Sequence, residues 1–136
     1  MSSDNNRTSQ YLLLFRGSHW EAGLSPDQLQ EIMGRWSAWF EGLEKSGKLK
    51  GAQPLLPEGK IVSGKNGKSI ADGPFAESKE VISGYFLVEV DSLEDALEFA
   101  KTSPLLEYGM TVEVRPVAVQ CPTMQRVSEQ MAHASA

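Results

Sequence analysis

SGYFLVEVDSLEDALEFA, residues 83–100, changes its repeat half-way along. From Ser83 to Val90 the side chains alternate: Tyr85, Leu87 and Glu89 fall on one side, Phe86, Val88 and Val90 on the other. That period of two belongs to a strand. After Asp91 the spacing lengthens, with Leu93, Ala96, Leu97 and Ala100 recurring at helical intervals. Ser92 stands where an N-cap oxygen is needed, and Glu94 and Asp95 place negative charge at the positive end of the helix dipole. A strand that hands over to a helix this quickly is half of a layered α+β domain, so a matching half is expected elsewhere.

It lies upstream. Tyr11 to Arg16 (YLLLFR) is a short apolar run stopped by Gly17, which suits a strand. Ser25 then offers an N-cap, Pro26 the first helical position, Asp27 a first-turn acid and Gln28 the capping-box partner. At about 100° per residue, Leu29, Ile32, Met33, Trp36, Trp39, Phe40 and Leu43 share an arc of roughly 120°. This predicts a core-facing helix that ends near Ser46, with Gly47 as its left-handed terminator. On the opposite side Gly34, Ala38 and Gly42 recur every fourth residue, which reads either as an exposed face or as a ridge for close packing.

Leu49–Leu56 predicts a second strand ended by Pro57, and Thr111–Val117 alternates as a last one. Between them Asn66-Gly67, flanked by 60–62 and 68–70, predicts a small hairpin over residues 60–71 closed by a two-residue turn. Ser103-Pro104 stops the second helix, and from Thr123 the tail carries Met124, Val127 and Met131 on one side of a weak helix. Without the hairpin the order is βαββαβ. Right-handed crossovers then favour a ferredoxin-like α+β fold, both helices on one face of a four-stranded antiparallel sheet. The domain is expected over residues 10–118, with a polar, disordered tail at 1–9 and a C-terminal tail at 119–136.

Composition bounds the function. The chain of 136 residues suffices for one core, and its net charge of −5 argues against a nucleic-acid partner, since such binders display clustered basic faces. No apolar run reaches the roughly 18–20 residues of a membrane span, and MSSDNNRTSQ lacks a signal-peptide pattern. The single cysteine, Cys121, rules out an internal disulfide and a cysteine-based metal cluster, so the cytoplasm is the expected compartment. His19 and His133 are too far apart to suggest metal ligation, and no cofactor is expected.

If Phe86, Val88, Val90, Val112 and Val114 face the helices beside Tyr11, Leu13 and Phe15, the second face of the sheet carries Leu12, Leu14, Arg16, Tyr85, Leu87, Glu89, Thr111, Glu113 and Arg115. So large an apolar area rarely stays open to water. A second copy is the expected cover, giving a homodimeric α+β barrel with Arg16, Glu89, Glu113 and Arg115 as compensated charges inside it.

Topology also gathers a candidate site. The end of the first strand, with Arg16 and His19, shares a rim with DGPFAESKE (residues 72–80) and with Tyr85 and Thr111 at the starts of their strands. One reading is a structured turn, with Asp72 bonding amides two residues on, Gly73 extended before Pro74, and Phe75 anchoring the loop. A second makes Asp72 a general base, Arg16 an anion-binding group and His19 a proton carrier, histidine being the side-chain type that titrates nearest neutral pH. A small-molecule pocket then includes Tyr85, Gly73, Pro74, Phe75 and Thr111. A third makes the rim a protein-docking surface. Glu77, Lys79 and Glu80 read as solvated charge, and Trp36 and Trp39 as core.

At DGPFAESKE the chain resembles the YCII-related family, in its branch named for the DGPF motif. The resemblance extends over YLLLFRG, EKSGKLKGAQPL, GYFLVEV with DSLEDALEFA, and VEVRPV, about residues 10 to 118. It implies a dimeric ferredoxin-like barrel, and kinship to small-molecule lyases and dehydrochlorinases. For some relatives it implies catalysis by a histidine on the first helix with an aspartate partner. It also implies the alternative of a regulatory or interaction module beside alternative sigma factors. This chain departs from the histidine pattern: aligned on SGKLKGAQP, Trp36 falls where that histidine would, and His19 is the only histidine of residues 10–118.

Overall fold

A computed structural model describes residues 7–73 and 81–135. Strand β1 (Arg7–Arg16) is longer than its apolar run implies. Its polar start is held by partners: Arg7 is in register with Ala118, and the Val90 amide donates to the Ser9 carbonyl at 2.8 Å. Helix α1 (Pro26–Lys45) begins as its sequence predicts. The Gln28 amide donates to Ser25 Oγ at 3.2 Å, and the Ser25 amide donates to Gln28 Oε1 at 2.9 Å, so two amides at the helix start are satisfied reciprocally. Gly47 takes the left-handed φ of 75° just beyond the C-cap Ser46.

Strand β2 (Leu49–Pro54) leads into a separate two-stranded sheet of β3 (Lys60–Ser63) and β4 (Ser69–Asp72). The predicted two-residue turn is replaced by a longer loop. Ser63 pairs with Ser69, and a 3-10 turn at Lys65–Gly67 fills the gap. Gly64 has already turned left-handed (φ 81°), and Asn66 and Gly67 follow at 62° and 66°, so three positive-φ residues share the reversal expected of two.

Strand β5 (Ile82–Glu89), helix α2 (Leu93–Lys101), a 3-10 segment at Pro104–Tyr108, strand β6 (Thr111–Ala118) and helix α3 (Pro122–Ser135) complete the chain. The main sheet is ordered β2-β5-β1-β6, with every neighbouring pair antiparallel. This is the ferredoxin-like α+β arrangement. The near face of the sheet carries the core: Tyr11, Leu13, Phe86 and Val88 pack with Leu43, Ala96 and Ala100 of the helices. Trp39 Nε1 donates to Thr102 Oγ1 at 2.9 Å and ties α1 to the end of α2. Met33, expected in the stripe, is 43% exposed at its edge, and a Cβ added at Gly34 or Gly42 meets nothing within 4 Å. The small-residue row is therefore an open surface of this chain.

Candidate functional site

Where β1, β2 and β5 meet the loop after β1, a cleft of about 450 Å³ opens between the sheet end and α1. Its walls are aromatic, with Phe15 and Phe86 from the sheet, Trp36 and Phe40 from α1, and Trp20 from the loop. Period three-to-four on α1 explains one wall. Trp36 and Phe40 are one turn apart and stack nearly parallel, 7° between planes and 5.2 Å between centroids. Phe40 meets Phe86 edge-on at 5.6 Å, and Phe86 meets Phe15 at 4.7 Å, so the rings form one continuous surface.

The floor depends on two glycines. Gly17 has φ 123°, and a Cβ there would stand 2.6 Å from Met110 Sδ, so only glycine lets the chain leave β1 over this methionine. A Cβ at Gly84 would stand 2.9 Å from the Gln53 carbonyl oxygen, where β2 approaches β5. Polar groups are few and sit at the edge: Ser18, His19 and Glu21 from the loop, Gln53 and Ser83 from the strands. His19 holds a left-handed φ of 54°, in a turn where the Ala22 amide donates to its carbonyl at 3.2 Å. Sparse polar groups around an apolar hollow of this size are the usual composition of a small-molecule site.

The residues expected at one rim separate into three places. His19 and Tyr85 line the cleft. Arg16 and Thr111 are cross-strand partners on β1 and β6, and Arg16 Nη2 donates to Glu113 Oε1 at 2.7 Å. That guanidinium, with Arg115 4.0 Å from the other oxygen, holds the Glu113 carboxyl below the usual carboxylate range. Asp72 and Gly73 lie at the stem of the hairpin. Asp72 is in register with Lys60 and forms an ion pair with it, and the Gly73 amide donates to the Gly59 carbonyl at 3.3 Å. Neither is among the described residues that line the cleft. The reason is pairing: β4 joins β3 in its own sheet and not the main one, so the start of the DGPF stretch is carried away from β1. Pro74 and Phe75 lie outside the described residues.

Most of the lining residues were not marked as site residues by the sequence, among them Trp20, Trp36, Phe40, Gln53 and Met110. Trp36 and Phe40 belong to the apolar stripe of α1 that packs on the core, and the stripe alone does not tell core from cleft wall.

The model of the YCII-related domain matches residues 10–129. The chain belongs to the YCII-related family. A relative, the uncharacterized protein R00369 of Rhizobium meliloti (strain 1021), is 33% identical over 102 residues, which is 72% of this chain and 82% of that protein. Among solved structures, this YCII-related chain aligns with 5-chloro-2-hydroxyhydroquinone dehydrochlorinase (TftG) from Burkholderia phenoliruptrix AC1100, in complex with 2,5-dihydroxybenzoquinone. That alignment covers 78% of this chain and 90% of the other, at 17% identity and a TM-score of 0.43. The matched YCII-related region takes in every element from β1 to most of α3, so the cleft lies wholly inside the family domain. No helix among the described residues is long and apolar enough to cross a membrane.

Proposed function

We propose that this YCII-related chain binds a flat ring compound in the aromatic cleft, and that His19 moves a proton on the bound ring. The observation that carries the reading is the convergence of aromatic residues, Phe15, Trp20, Trp36, Phe40 and Phe86 among them, on a hollow of about 450 Å³ with a histidine at its edge. Ring faces recognise ring faces by offset stacking, and Trp36 and Phe40 already present such a platform. A base at the mouth then reaches a group on the ring edge while the ring body stays dry. The positive φ of His19 is a strained backbone state of the sort that accumulates at functional sites.

Two finer placements belong to the same proposal. Within the family, DGPFAESKE at residues 72–80 supports the DGPF-motif branch. The second face of the sheet supports a homodimer: Leu87, Leu12 and Arg115 form one row across the strands and Tyr85, Leu14 and Glu113 the next, apolar groups bordered by the Arg16–Glu113 pair.

The test uses 2-naphthol in heavy water, with deuterium uptake at the ring carbon beside the hydroxyl followed by NMR. The wild-type chain is expected to speed the uptake at least tenfold over buffer, and His19→Ala to return it to the buffer rate while binding persists. Equal uptake by wild type and His19→Ala would remove His19 from the mechanism.

A further inference from the structure

Two exposed apolar patches stand at opposite corners of the main sheet. The first is the hairpin arm with its approach: Leu55, Leu56, Ile61, Val62 and Ile70 are between 46% and 75% exposed. Val62 and Ile70 are cross-strand partners and so share one face of the arm. The second is the C-terminal segment, where Val119 precedes α3 and Met124, Val127 and Met131 recur along one side of that helix, all four exposed. A two-stranded ribbon with an uncovered apolar face is marginal in water by itself. A helix with an uncovered stripe draws its stability from packing the stripe against something.

Topology fixes where the two patches lie. Strand β2 forms one edge of the sheet and β6 the other, and the two run in opposite directions. The arm follows the end of β2 and α3 follows the end of β6. They are therefore diagonal corners, too far apart to meet within one chain. When two copies place their second sheet faces together, a two-fold axis along one diagonal carries arm onto α3 and α3 onto arm. An axis along the other diagonal carries arm onto arm. Charge separates these cases. Residues 60–71 hold Lys60, Lys65 and Lys68 and no acid, in a chain of net charge −5. Lys60 is paired with Asp72, which leaves Lys65 and Lys68 at the tip. Arm on arm would oppose these lysines to their own copies, and like-charge contacts oppose association. Helix α3 carries Arg126 and Glu129, whose charges cancel, and an apolar stripe rich in methionine, a side chain that adapts to an irregular partner surface.

We propose that in a pair of chains the hairpin arm of each copy packs on α3 of the other, so that the arm's apolar face and the helix stripe cover one another. This rests on the face-to-face dimer proposed above and adds which segments exchange. Cys121, exposed at the start of α3, supplies the probe. Val62→Cys is made in the full chain, and separately Ile70→Cys. Each is treated with a short bismaleimide and resolved on a denaturing gel, with sedimentation run in parallel. The expected result is a band at twice the 14.9 kDa chain mass for either variant, lost when Cys121→Ser is added. A cross-link that survives Cys121→Ser means that arm meets arm, and overturns the exchange. A dimer by sedimentation with no cross-link in either variant also overturns it, with the paired-sheet reading intact. A single-chain mass at every concentration overturns both.

Discussion

The near face of the main sheet and the faces of the β3–β4 hairpin are made from similar residues and meet opposite fates. Leu13 and Val88 on the near face have no exposure at all, whereas Val62 and Ile70 on the hairpin are 62% and 66% exposed. Both carry β-branched residues, so that content does not explain the difference. What differs is the layer above: α1 and α2 lie over the sheet, and nothing among the described residues lies over the arm. Strand pairing is a local property, and burial is a property of the layer that covers the strand. The cleft lies between these extremes, where α1 still covers the sheet while the strands beneath it end.

The comparison is broken most severely by Leu13→Ala. This side chain is fully enclosed in a central strand, and its loss is expected to destabilise the fold by about 2–5 kcal/mol, measured by urea denaturation. A midpoint shift close to zero would show that the near face is not the core. Gly84→Ala ranks next, since its Cβ would press on the Gln53 carbonyl and separate β2 from β5, with an expected cost of about 1–3 kcal/mol. Val62→Asp sharpens the contrast from the other side. It is expected to leave urea stability within about 0.5 kcal/mol at dilutions where the chain is single. On the proposed packing of the arm against α3 of a second copy, the same change is expected to raise the dimer dissociation constant at least tenfold by sedimentation.

The smallest effect concerns charge. Because Arg16 holds Glu113 below the usual carboxylate range, the pair stabilises the fold fully above the unfolded glutamate value of about 4.3 and loses that contribution as pH falls below it. Glu113→Gln is therefore expected to lower the urea midpoint slightly at pH 7 to 8, where the pair is fully formed, and to converge on the wild-type value between about pH 5 and 3, which flattens the acid decline. An unchanged acid limb would detach Glu113 from stability.

Much of the fold was legible because its signals are short-range. The Ser25–Gln28 capping box and the Ser92 cap each involve residues three apart, and both form as the sequence predicts. The first residues of β1 were not legible, since RTSQ carries no apolar pattern and is held by Ala118 and Val90 from far along the chain. The hairpin turn was misread by one local competitor, Gly64, whose left-handed backbone starts the reversal before Asn66. The candidate cleft was legible only in part. His19 and Tyr85 follow from strand direction, but whether Asp72 reaches them depends on which strand β4 pairs with, and no spacing in the sequence encodes that choice. Trp36 and Phe40 pack against the core as the stripe predicts, and they also line the cleft.

The most direct test of the aromatic cleft as a binding site is calorimetric titration of the full chain with 2-naphthol, alongside Trp36→Ala. The expected outcome is saturable heat with one site per chain, and affinity at least tenfold weaker in the variant while its far-ultraviolet circular dichroism is unchanged. Saturable binding of equal strength in Trp36→Ala, or no saturable heat in the wild type, would contradict the account.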